Sequence, residues 1–289
     1  MVERLSCLQA VRSIQTDPYP HTCVEQALPD ALYEELEATF PEQWMLERIQ
    51  RLDAGSPTRR LKVAEALQWN DLAPIWVDFL RFHTSPDYLR DVVRLFEPQL
   101  LEALGSDQLH QLMTGSVTPR RIGPRGDLVT DCQFVLNEPV GGDATTQPAH
   151  VDNPKEIYAG LLYMRKPEDR AAGGDFTVHR LTQPIRRLDK AIGRQLSSEL
   201  HTPVRTIAYR PNTFCLFLNV LGAVHSVTPR LKPIERRRSI NIIGEFAGRQ
   251  RMWNRPEYDS RLSRSEQFLQ RVLSRLRGFI PRKQSTSSN

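Results

Sequence analysis

Residues 147–153 read Gln147-Pro148-Ala149-His150-Val151-Asp152-Asn153, and this stretch decides how the rest of the chain is interpreted. It places a histidine and an aspartate two residues apart, shortly before an apolar run at 157–164 that is typical of a β-strand. Side chains at positions i and i+2 of an extended backbone point to the same face. His150 and Asp152 could therefore present a ring nitrogen and a carboxylate oxygen to one metal ion.

A second histidine, His225, follows another apolar run far downstream, in Val224-His225-Ser226-Val227. Alone, a His-x-Asp pair is a weak sign of a metal site, and a lone histidine is more often an ordinary core or surface residue. Together, two histidines and one carboxylate form the ligand set of non-haem Fe(II) sites that keep open coordination positions. The sequence therefore indicates a metal centre made of His150, Asp152 and His225, which are also the candidate catalytic residues.

Three consecutive arginines follow the second histidine, in Arg236-Arg237-Arg238-Ser239-Ile240-Asn241. A planar guanidinium can pair with a carboxylate through two parallel hydrogen bonds. One of these arginines is therefore a candidate for binding a carboxylate-bearing cosubstrate near the metal. Because side chains alternate along a strand, only one set of them can face inward, and the choice among the three stays open at this point.

The composition is typical of a soluble globular protein. The chain has 289 residues, 39% of them hydrophobic and 25% charged, which suits one elaborated domain with a sizeable core. No apolar run approaches the ~18 residues that a membrane span needs. The first residues lack the pattern of a secretory signal, and the four cysteines lie far apart with no Cys-x-x-Cys pair. We therefore expect a cytoplasmic protein with reduced thiols.

The net charge of +5 is moderate, and no nucleic-acid-binding module accompanies it, so we expect no nucleic-acid partner. We expect four segments to form the rim of a site, namely 42–60, 137–149, 165–172 and 179–202. Their basic residues include Arg59, Arg60, Arg165, Lys166, Arg170, Arg180, Arg186 and Arg187. A basic rim would suit an acidic small molecule, an amino-acid carboxylate or an acidic peptide, although ordinary surface charge explains it equally well.

The pattern of apolar residues along the chain changes at about residue 117. Before this point, apolar residues recur at helical spacing, with a helix expected from Asp30 to about Phe40 and Ser85 expected as a helix N-cap before Pro86. Gly105 is expected to end the last of these helices. After residue 117, short apolar runs with turn signals at roughly regular spacing favour a β-sandwich or barrel.

We expect one integrated domain with four parts. These are a helical buttress at 1–116, a β core at 117–248, a helical extension at 249–280 and a disordered tail at 281–289. Residues 42–60 are expected to be irregular. Residues 263–276 have the spacing of a basic amphipathic helix, which we expect to dock on the domain.

The stretch 117–247 resembles the catalytic core of the 2-oxoglutarate/Fe(II)-dependent oxygenases, in the prolyl-4-hydroxylase-like branch. The motifs that carry this resemblance after the His-x-Asp pair are Gly160-Leu161-Leu162-Tyr163-Met164-Arg165, Gly173-Gly174-Asp175-Phe176, Phe214-Cys215-Leu216-Phe217, His225-Ser226-Val227 and Arg237-Arg238-Ser239-Ile240-Asn241. Near the start, Pro18-Tyr19-Pro20-His21 and Leu28-Pro29-Asp30 also resemble the entry of related hydroxylases. The resemblance implies an α+β, mainly β fold. Its core would be a double-stranded β-helix, or distorted jelly roll, with N-terminal helices packed on one face and a C-terminal helix.

The resemblance also implies the cofactors. Fe(II) would be held by His150, Asp152 and His225, and 2-oxoglutarate would be the cosubstrate. O2 would be the oxidant, and ascorbate would act as a supporting reductant.

For the far carboxylate of 2-oxoglutarate, aligning the arginine strand with the family pattern selects Arg237, with Ser239 and Asn241 on the same face. Arg238 stays as the alternative. The family often adds a tyrosine or another polar donor from an earlier strand, and no tyrosine of this chain matches that position. The residues in roughly that region are Gln133 and Asn137.

The activity implied by the resemblance is hydroxylation of an unactivated C–H bond in a small molecule, an amino acid or a peptidyl residue. In this reaction 2-oxoglutarate is decarboxylated to succinate and CO2. In the halogenases of this superfamily a small residue replaces the ligand carboxylate, so the presence of Asp152 favours hydroxylation, with desaturation or ring closure left open. Two alternatives from other classes are a catalytically silent jelly-roll binding module and a cupin-like metal protein.

Overall fold

The computed structural model describes residues 5–49, 57–123, 126–139, 147–182, 196–232 and 234–253. The expected helix at 263–276 and the expected tail at 281–289 lie outside the described residues, as do Arg186 and Arg187. Within the described ranges, no helix is both long enough and apolar enough to cross a membrane.

Helices dominate the described part of residues 1–116. The helices are α1 (Asp30–Ala38), α2 (Glu42–Arg48), α3 (Val63–Ala66), α4 (Pro74–His83), α5 (Pro86–Leu95), α6 (Glu97–Leu104) and α7 (Ser106–Thr114), and two short strands accompany them, β1 (His21–Val24) and β2 (Thr58–Leu61). The expectation that 42–60 is irregular is therefore wrong for 42–48 and 58–60, and residues 50–56 lie outside the described residues. The reason is tertiary, because Met45 of α2 is fully buried and β2 pairs with another strand along its whole length.

Two helix boundaries follow from local chemistry that the sequence displays. The Ser85 hydroxyl accepts a hydrogen bond from the Tyr88 backbone N–H at 3.2 Å, and Pro86 occupies the first turn of α5, as expected. Gly105 ends α6 with a φ of 78°, a conformation that glycine adopts without strain. The same glycine directly precedes α7, a helix that the sequence patterns did not predict.

The remaining strands form two sheets with β1 and β2. They are β3 (Val117–Pro119), β4 (Leu128–Asn137), β5 (Gln147–His150), β6 (Glu156–Tyr163), β7 (Phe176–Leu181), β8 (His201–Ile207), β9 (Phe214–Leu218), β10 (His225–Val227) and β11 (Arg237–Phe246). The large sheet has the order β1-β9-β6-β11-β4-β2, with β3 beside β4, and the small sheet has the order β5-β10-β7-β8. Only the β3–β4 pair is parallel among the described strands. A mixed α+β chain with two sheets is thus confirmed.

The helices cover one face of the large sheet. Trp76 and Phe79 of α4 are fully buried, and the Trp76 ring lies 4.6 Å from the ring of Phe134 on β4, centroid to centroid. Phe40 packs edge-on against the same Phe134 ring at 5.4 Å. Burying a large apolar side chain contributes about 1.5–3 kcal/mol, so these aromatic contacts hold the helices to the sheet.

Alternation along the strands separates this core from a cavity between the sheets. Phe134 and Ile240 belong to the core on the helix side. Their neighbours in the sequence, Gln133 and Asn241, line the cavity. The polar side chains of β4 and β11 are therefore collected on one surface, which faces the small sheet.

A β-bulge, which lies opposite Gly244 and Glu245 of β11, changes this alternation at the start of β6. Beyond the bulge, Glu156 of β6 lines the cavity, whereas the next residue, Ile157, is fully buried in the core on the helix side. Bulges re-aim side chains in this way. Gly244 is required here because a Cβ atom would lie 2.4 Å from the Tyr158 ring.

Candidate metal centre and cosubstrate cavity

The three expected metal ligands come together at one edge of the small sheet. His150 ends β5, His225 begins β10, and the two residues are direct partners in the antiparallel pairing of these strands. Asp152 follows two residues after His150. The ligand atoms of the three side chains lie within 4.8 Å of one another, and no other group of three such ligands occurs within the ranges that the structure describes.

The backbone fixes the orientation of both imidazole rings. His150 Nδ1 lies 2.8 Å from the Pro148 carbonyl oxygen, and His225 Nδ1 lies 3.1 Å from the Ala223 carbonyl oxygen. A carbonyl oxygen only accepts, so each Nδ1 carries the proton and donates. Each Nε2 is then the nitrogen available to a metal, which is the usual arrangement around metal-ligating histidines.

Both Nε2 atoms face the carboxylate of Asp152. His150 Nε2 lies 3.3 Å from Asp152 Oδ1, and His225 Nε2 lies 3.5 Å from Asp152 Oδ2. Burial opposes ionisation of Asp152, but the imidazoles of His225 and His150 hold its pKa well below the usual range. Burial lowers the pKa of His225 to about 4, so this ring is neutral at neutral pH.

His150 behaves differently from His225. Burial lowers the pKa of His150, yet the hydrogen bond and charge of Asp152 outweigh burial and raise it. The Asp152 carboxylate therefore favours a proton on the His150 ring. A divalent ion at this position would compete with that proton, because histidine and carboxylate ligands must be deprotonated to bind a metal.

Arg237 is the buried cation of the cavity. Its Nε donates to the Gly174 carbonyl at 3.0 Å and its Nη1 donates to Asn137 Oδ1 at 3.3 Å. The guanidinium carbon lies 4.9 Å from the ring centroids of both Tyr163 and Tyr209. These contacts leave little freedom for the side chain, which is only 3% exposed.

Two hydrogen-bond donors of cavity-lining residues, Arg237 Nη2 and the Ser239 hydroxyl, are buried and have no partner among the described residues. An unsatisfied buried polar group costs about 1–3 kcal/mol, and more when it is charged. A carboxylate placed between them would accept from both, so the arrangement fits a carboxylate-bearing ligand.

The Gly-Gly turn before β7 positions the carbonyl that Arg237 uses. Gly173 has a φ of 83°, and a Cβ atom there would lie 1.8 Å from the Pro229 carbonyl oxygen. Asp175 accepts from the Tyr209 backbone N–H at 2.8 Å, which holds Tyr209 next to the guanidinium. The Gly-Gly turn therefore positions the groups that contact Arg237 in this cavity.

Arg238 and Arg236 do not line the cavity. Arg238 points to the opposite face, where its Nε donates to the Met164 carbonyl at 2.9 Å and its Nη2 pairs with Glu37 of α1. Arg236 pairs with Glu138 at 2.7 Å. Of the three consecutive arginines, Arg237 alone is placed beside Ser239 and the metal ligands.

The other residues named from the sequence also line the cavity. Gln133 Nε2 donates to Asp131 Oδ2 at 2.6 Å. Asn137 Nδ2 donates to the Thr58 hydroxyl at 2.7 Å, while its oxygen accepts from Arg237. Asn241 has a buried side-chain oxygen with no partner among the described residues. The cavity volume is about 360 Å³.

Several cavity residues were missed by sequence reasoning. Tyr163 and Tyr209 enclose Arg237, and Lys62, Arg120 and Glu156 line the cavity together with the metal ligands. The sequence showed no clear signal for β2, because Leu61 is the only apolar residue in Thr58-Arg59-Arg60-Leu61-Lys62. Glu156 could not be placed from periodicity, because the bulge breaks it.

Four of the six described basic residues that were expected at the rim are engaged elsewhere. Arg59 pairs with Glu138 at 2.8 Å, and Arg180 pairs with Asp17 at 2.5 Å. Lys166 lies 2.8 Å from Glu235, and Arg165 donates to backbone carbonyls. Among the described residues of that set, Arg60 lines the cavity.

No protein-family model matches the chain, and no curated protein matches it either. Solved structures do show likeness. A prolyl-4-hydroxylase from Pseudomonas putida is 15% identical, covers 79% of this chain and 93% of that chain, and has a TM-score of 0.41. A prolyl 4-hydroxylase from Phytophthora capsici is 17% identical, covers 96% of this chain and 74% of that chain, and has a TM-score of 0.49.

A third similar structure is SnoN, a non-haem α-ketoglutarate-dependent epimerase from nogalamycin biosynthesis. It is 12% identical, covers 78% of each chain and has a TM-score of 0.45. Likeness at this level assigns no activity to the chain. A functional assignment therefore depends on the contacts of the chain's own side chains.

Proposed function

We propose that this protein is a 2-oxoglutarate/Fe(II)-dependent dioxygenase that hydroxylates an unactivated C–H bond. The observation that carries the proposal is one cavity containing two kinds of site. At one side, two Nδ1-fixed imidazoles turn their Nε2 atoms to Asp152. At the other side, the buried Arg237 has an Nη2 atom with no hydrogen-bond partner among the described residues.

The strand order supports a double-stranded β-helix of the prolyl-4-hydroxylase-like type as the core. Between β4 and β11 the chain passes back and forth between the two sheets, and these two terminal strands lie side by side in the large sheet. The eight strands form β9-β6-β11-β4 facing β5-β10-β7-β8. Two antiparallel sheets of four strands with this alternation are the pattern of a jelly roll.

The donor set fits Fe(II) at the cluster of His150, Asp152 and His225. Two imidazole nitrogens and one carboxylate oxygen on one side leave the opposite coordination positions for other ligands. The carboxylate also carries the negative charge that a divalent ion requires nearby. Because Asp152 is present, we assign hydroxylation rather than halogenation.

The other end of the cavity fits the far carboxylate of 2-oxoglutarate. We assign this carboxylate to Arg237 and Ser239, whose side chains have the free donors. Asn137 holds the guanidinium in place through its oxygen, and Tyr163 and Tyr209 keep water away from it. Gln133 and Asn241 are the remaining polar groups that we place around the cosubstrate.

When bound, Fe(II), 2-oxoglutarate and O2 supply the oxidation of a substrate C–H bond, with release of succinate and CO2 and with ascorbate as a supporting reductant. The chain contributes binding and orientation. The Pro148 and Ala223 carbonyls hold the two imidazoles in one tautomer, and the Gly174 carbonyl holds Arg237. The substrate would be a small molecule, an amino acid or a peptidyl residue.

The proposal is tested by measuring succinate formed from 2-oxoglutarate by the purified protein. We expect slow succinate formation that requires both added Fe(II) and O2, and that is lost in Asp152→Ala. Ser226→Ala is the matched control, because Ser226 lies on β10 but its hydroxyl contacts His179 at 2.7 Å outside the cavity. Succinate formation that is equal in wild type and Asp152→Ala would remove the triad from the reaction.

A further inference from the structure

The cavity contains charged side chains that neither the metal nor the cosubstrate uses. Glu156 lines the cavity from β6, where it lies opposite Glu245 in the strand register, near the end of β11 that is distant from Arg237. Arg60 of β2 lines the cavity at the edge of the large sheet, and so does Lys62, which lies between β2 and α3. These groups surround the space in which a substrate must approach the metal ligands.

Glu156 is a buried carboxyl group at one end of the cavity, and other carboxylates lie near it. Arg120 pairs with Asp131 at 2.7 Å and with Glu245 at 2.9 Å, so two carboxylates share its single charge. Glu156 is a third carboxyl, and it forms no ion pair within the described part of the chain. Burial raises the pKa of Glu156 well above its usual value, and the nearby carboxylates of Asp152 and Glu245 raise it further. This end therefore fits a cationic group.

The edge formed by β2 has the opposite character. Arg60 lines the same cavity as the metal ligands, and its charge favours the ionised forms of Asp152 and Glu156. Lys62 has no carboxylate within ion-pair distance among the residues that the structure describes. Two cations on one edge of a cavity suit a carboxylate, to which a guanidinium and an ammonium both donate strong hydrogen bonds.

We propose that the substrate is a small amphoteric molecule of the amino-acid type, whose carboxylate binds Arg60 and Lys62 and whose ammonium group binds Glu156. This inference rests on the proposed function and specifies its substrate class. A cavity of about 360 Å³ is near the lower end of the ~300–1,000 Å³ found for ligand pockets, which suits a small molecule better than a peptide.

The test uses the anaerobic protein loaded with Fe(II) and 2-oxoglutarate, whose visible absorption changes when a substrate displaces water near the metal. The probes are the twenty free L-amino acids, each with its N-acetyl derivative, its carboxamide and its doubly blocked form. We expect at least one free amino acid to shift the absorption and to stimulate succinate release in air. Blocking either charged group should weaken its binding tenfold or more, because each charge-assisted hydrogen bond contributes about 1.5–3 kcal/mol.

Three outcomes decide between the possibilities. If no free amino acid shifts the absorption, the substrate class is wrong although the proposed function stands. If the doubly blocked form binds as well as the free amino acid, the substrate is a peptidyl residue and the inference also fails. If Fe(II) and 2-oxoglutarate give no absorption band before any amino acid is added, the proposed function itself is contradicted.

Substitutions test the ammonium contact and the carboxylate contact separately. Glu156→Gln should weaken binding of the free amino acid at least tenfold but leave its N-acetyl derivative unaffected, since that derivative has no ammonium group. Lys62→Met should weaken binding of the free amino acid and leave its carboxamide unaffected. Arg59→Gln is the matched control, because Arg59 lies on β2 but pairs with Glu138. Equal losses for free and blocked forms in Glu156→Gln would overturn the assignment of the ammonium group.

Discussion

Arg237 and Arg238 are adjacent in the sequence, but their guanidinium groups lie on opposite faces of β11. Arg237 is held against Gly174 and Asn137 in the cavity between the sheets. Arg238 donates to Met164 and pairs with Glu37 of α1 on the helix side. Arg237 is therefore part of the candidate site, whereas Arg238 connects α1 to the large sheet.

This division predicts different defects for two neighbouring substitutions. Arg237→Ala should raise the KM for 2-oxoglutarate roughly 10- to 100-fold, because it removes the cation that we assign to the far carboxylate. Arg238→Ala should change that KM little but lower the free energy of unfolding by about 3 kcal/mol, because it leaves Glu37 without its partner. Steady-state kinetics and urea denaturation of both variants check this. The reverse pattern would transfer the cosubstrate role to Arg238.

Metal binding should stabilise the folded protein. Ni(II), a probe that is stable in air, should raise the Tm by roughly 5 °C or more at a 100-fold excess over its Kd, since it binds only the assembled triad. His225→Ala should lose this shift because one of the three ligands is gone. His201→Ala is the control, as His201 lies on β8 and contacts His179 instead of the triad. An undiminished shift in His225→Ala, measured by differential scanning fluorimetry, would contradict the ligand assignment.

The Gly-Gly turn offers a test of how Arg237 is positioned. Gly173→Ala should destabilise the fold and weaken 2-oxoglutarate binding, because a Cβ atom would lie 1.8 Å from the Pro229 carbonyl oxygen, next to the Gly174 carbonyl that Arg237 uses. Gly123→Ala is the matched control. Its φ of 73° is similarly positive, but nothing lies within 4 Å of the added atom, so only the backbone cost of ~1–2 kcal/mol applies. Equal effects of the two substitutions on 2-oxoglutarate binding would show that the turn does not position Arg237.

His83 should make stability depend on pH in the acid range. It is fully buried, with Nδ1 donating to the Phe79 carbonyl at 2.9 Å and Nε2 accepting from the Cys7 backbone N–H at 3.3 Å. Burial lowers the pKa of His83 in the folded protein to about 3. In the unfolded chain the pKa is ~6.5, so between these two pH values His83 is protonated in the unfolded chain and neutral in the folded protein. The contribution of neutral His83 to the free energy of unfolding is therefore complete above pH ~6.5. It is lost as the pH falls, by up to ~1.4 kcal/mol per pH unit.

His83→Gln isolates this effect. The variant should be less stable than wild type at pH 7.5, and the difference between the two free energies of unfolding should narrow as the pH falls from 6.5 to 4. Urea denaturation at several pH values measures this difference. A difference that stays constant over that range would mean that His83 is not held neutral by burial.

Much of the site could be predicted from the sequence, because its residues belong to short motifs. The His-x-Asp spacing, the second histidine after an apolar run and the arginine strand each lie within a few residues. The structure places the side chains of these segments around one cavity. The choice between Arg237 and Arg238 needed the register of β11, which depends on strands distant in the sequence.

The parts that sequence reasoning missed depend on tertiary pairing. β2 is four residues long and depends on its pairing with β4, so residues 58–61 carried no local signal strong enough to identify a strand. Glu156 reaches the cavity through a bulge, which reverses the alternation expected from the rest of β6. Tyr209 lies outside a strand and is placed by the Asp175 carboxylate.

Anaerobic absorption spectroscopy with Fe(II) and 2-oxoglutarate tests whether the triad and Arg237 form one site. We expect a weak visible band that requires the folded protein, Fe(II) and 2-oxoglutarate together, and that disappears in His225→Ala. The band should need a much higher 2-oxoglutarate concentration in Arg237→Ala. A folded wild-type protein that gives no band at saturating Fe(II) and 2-oxoglutarate would contradict the assignment of this cavity to a 2-oxoglutarate/Fe(II) centre.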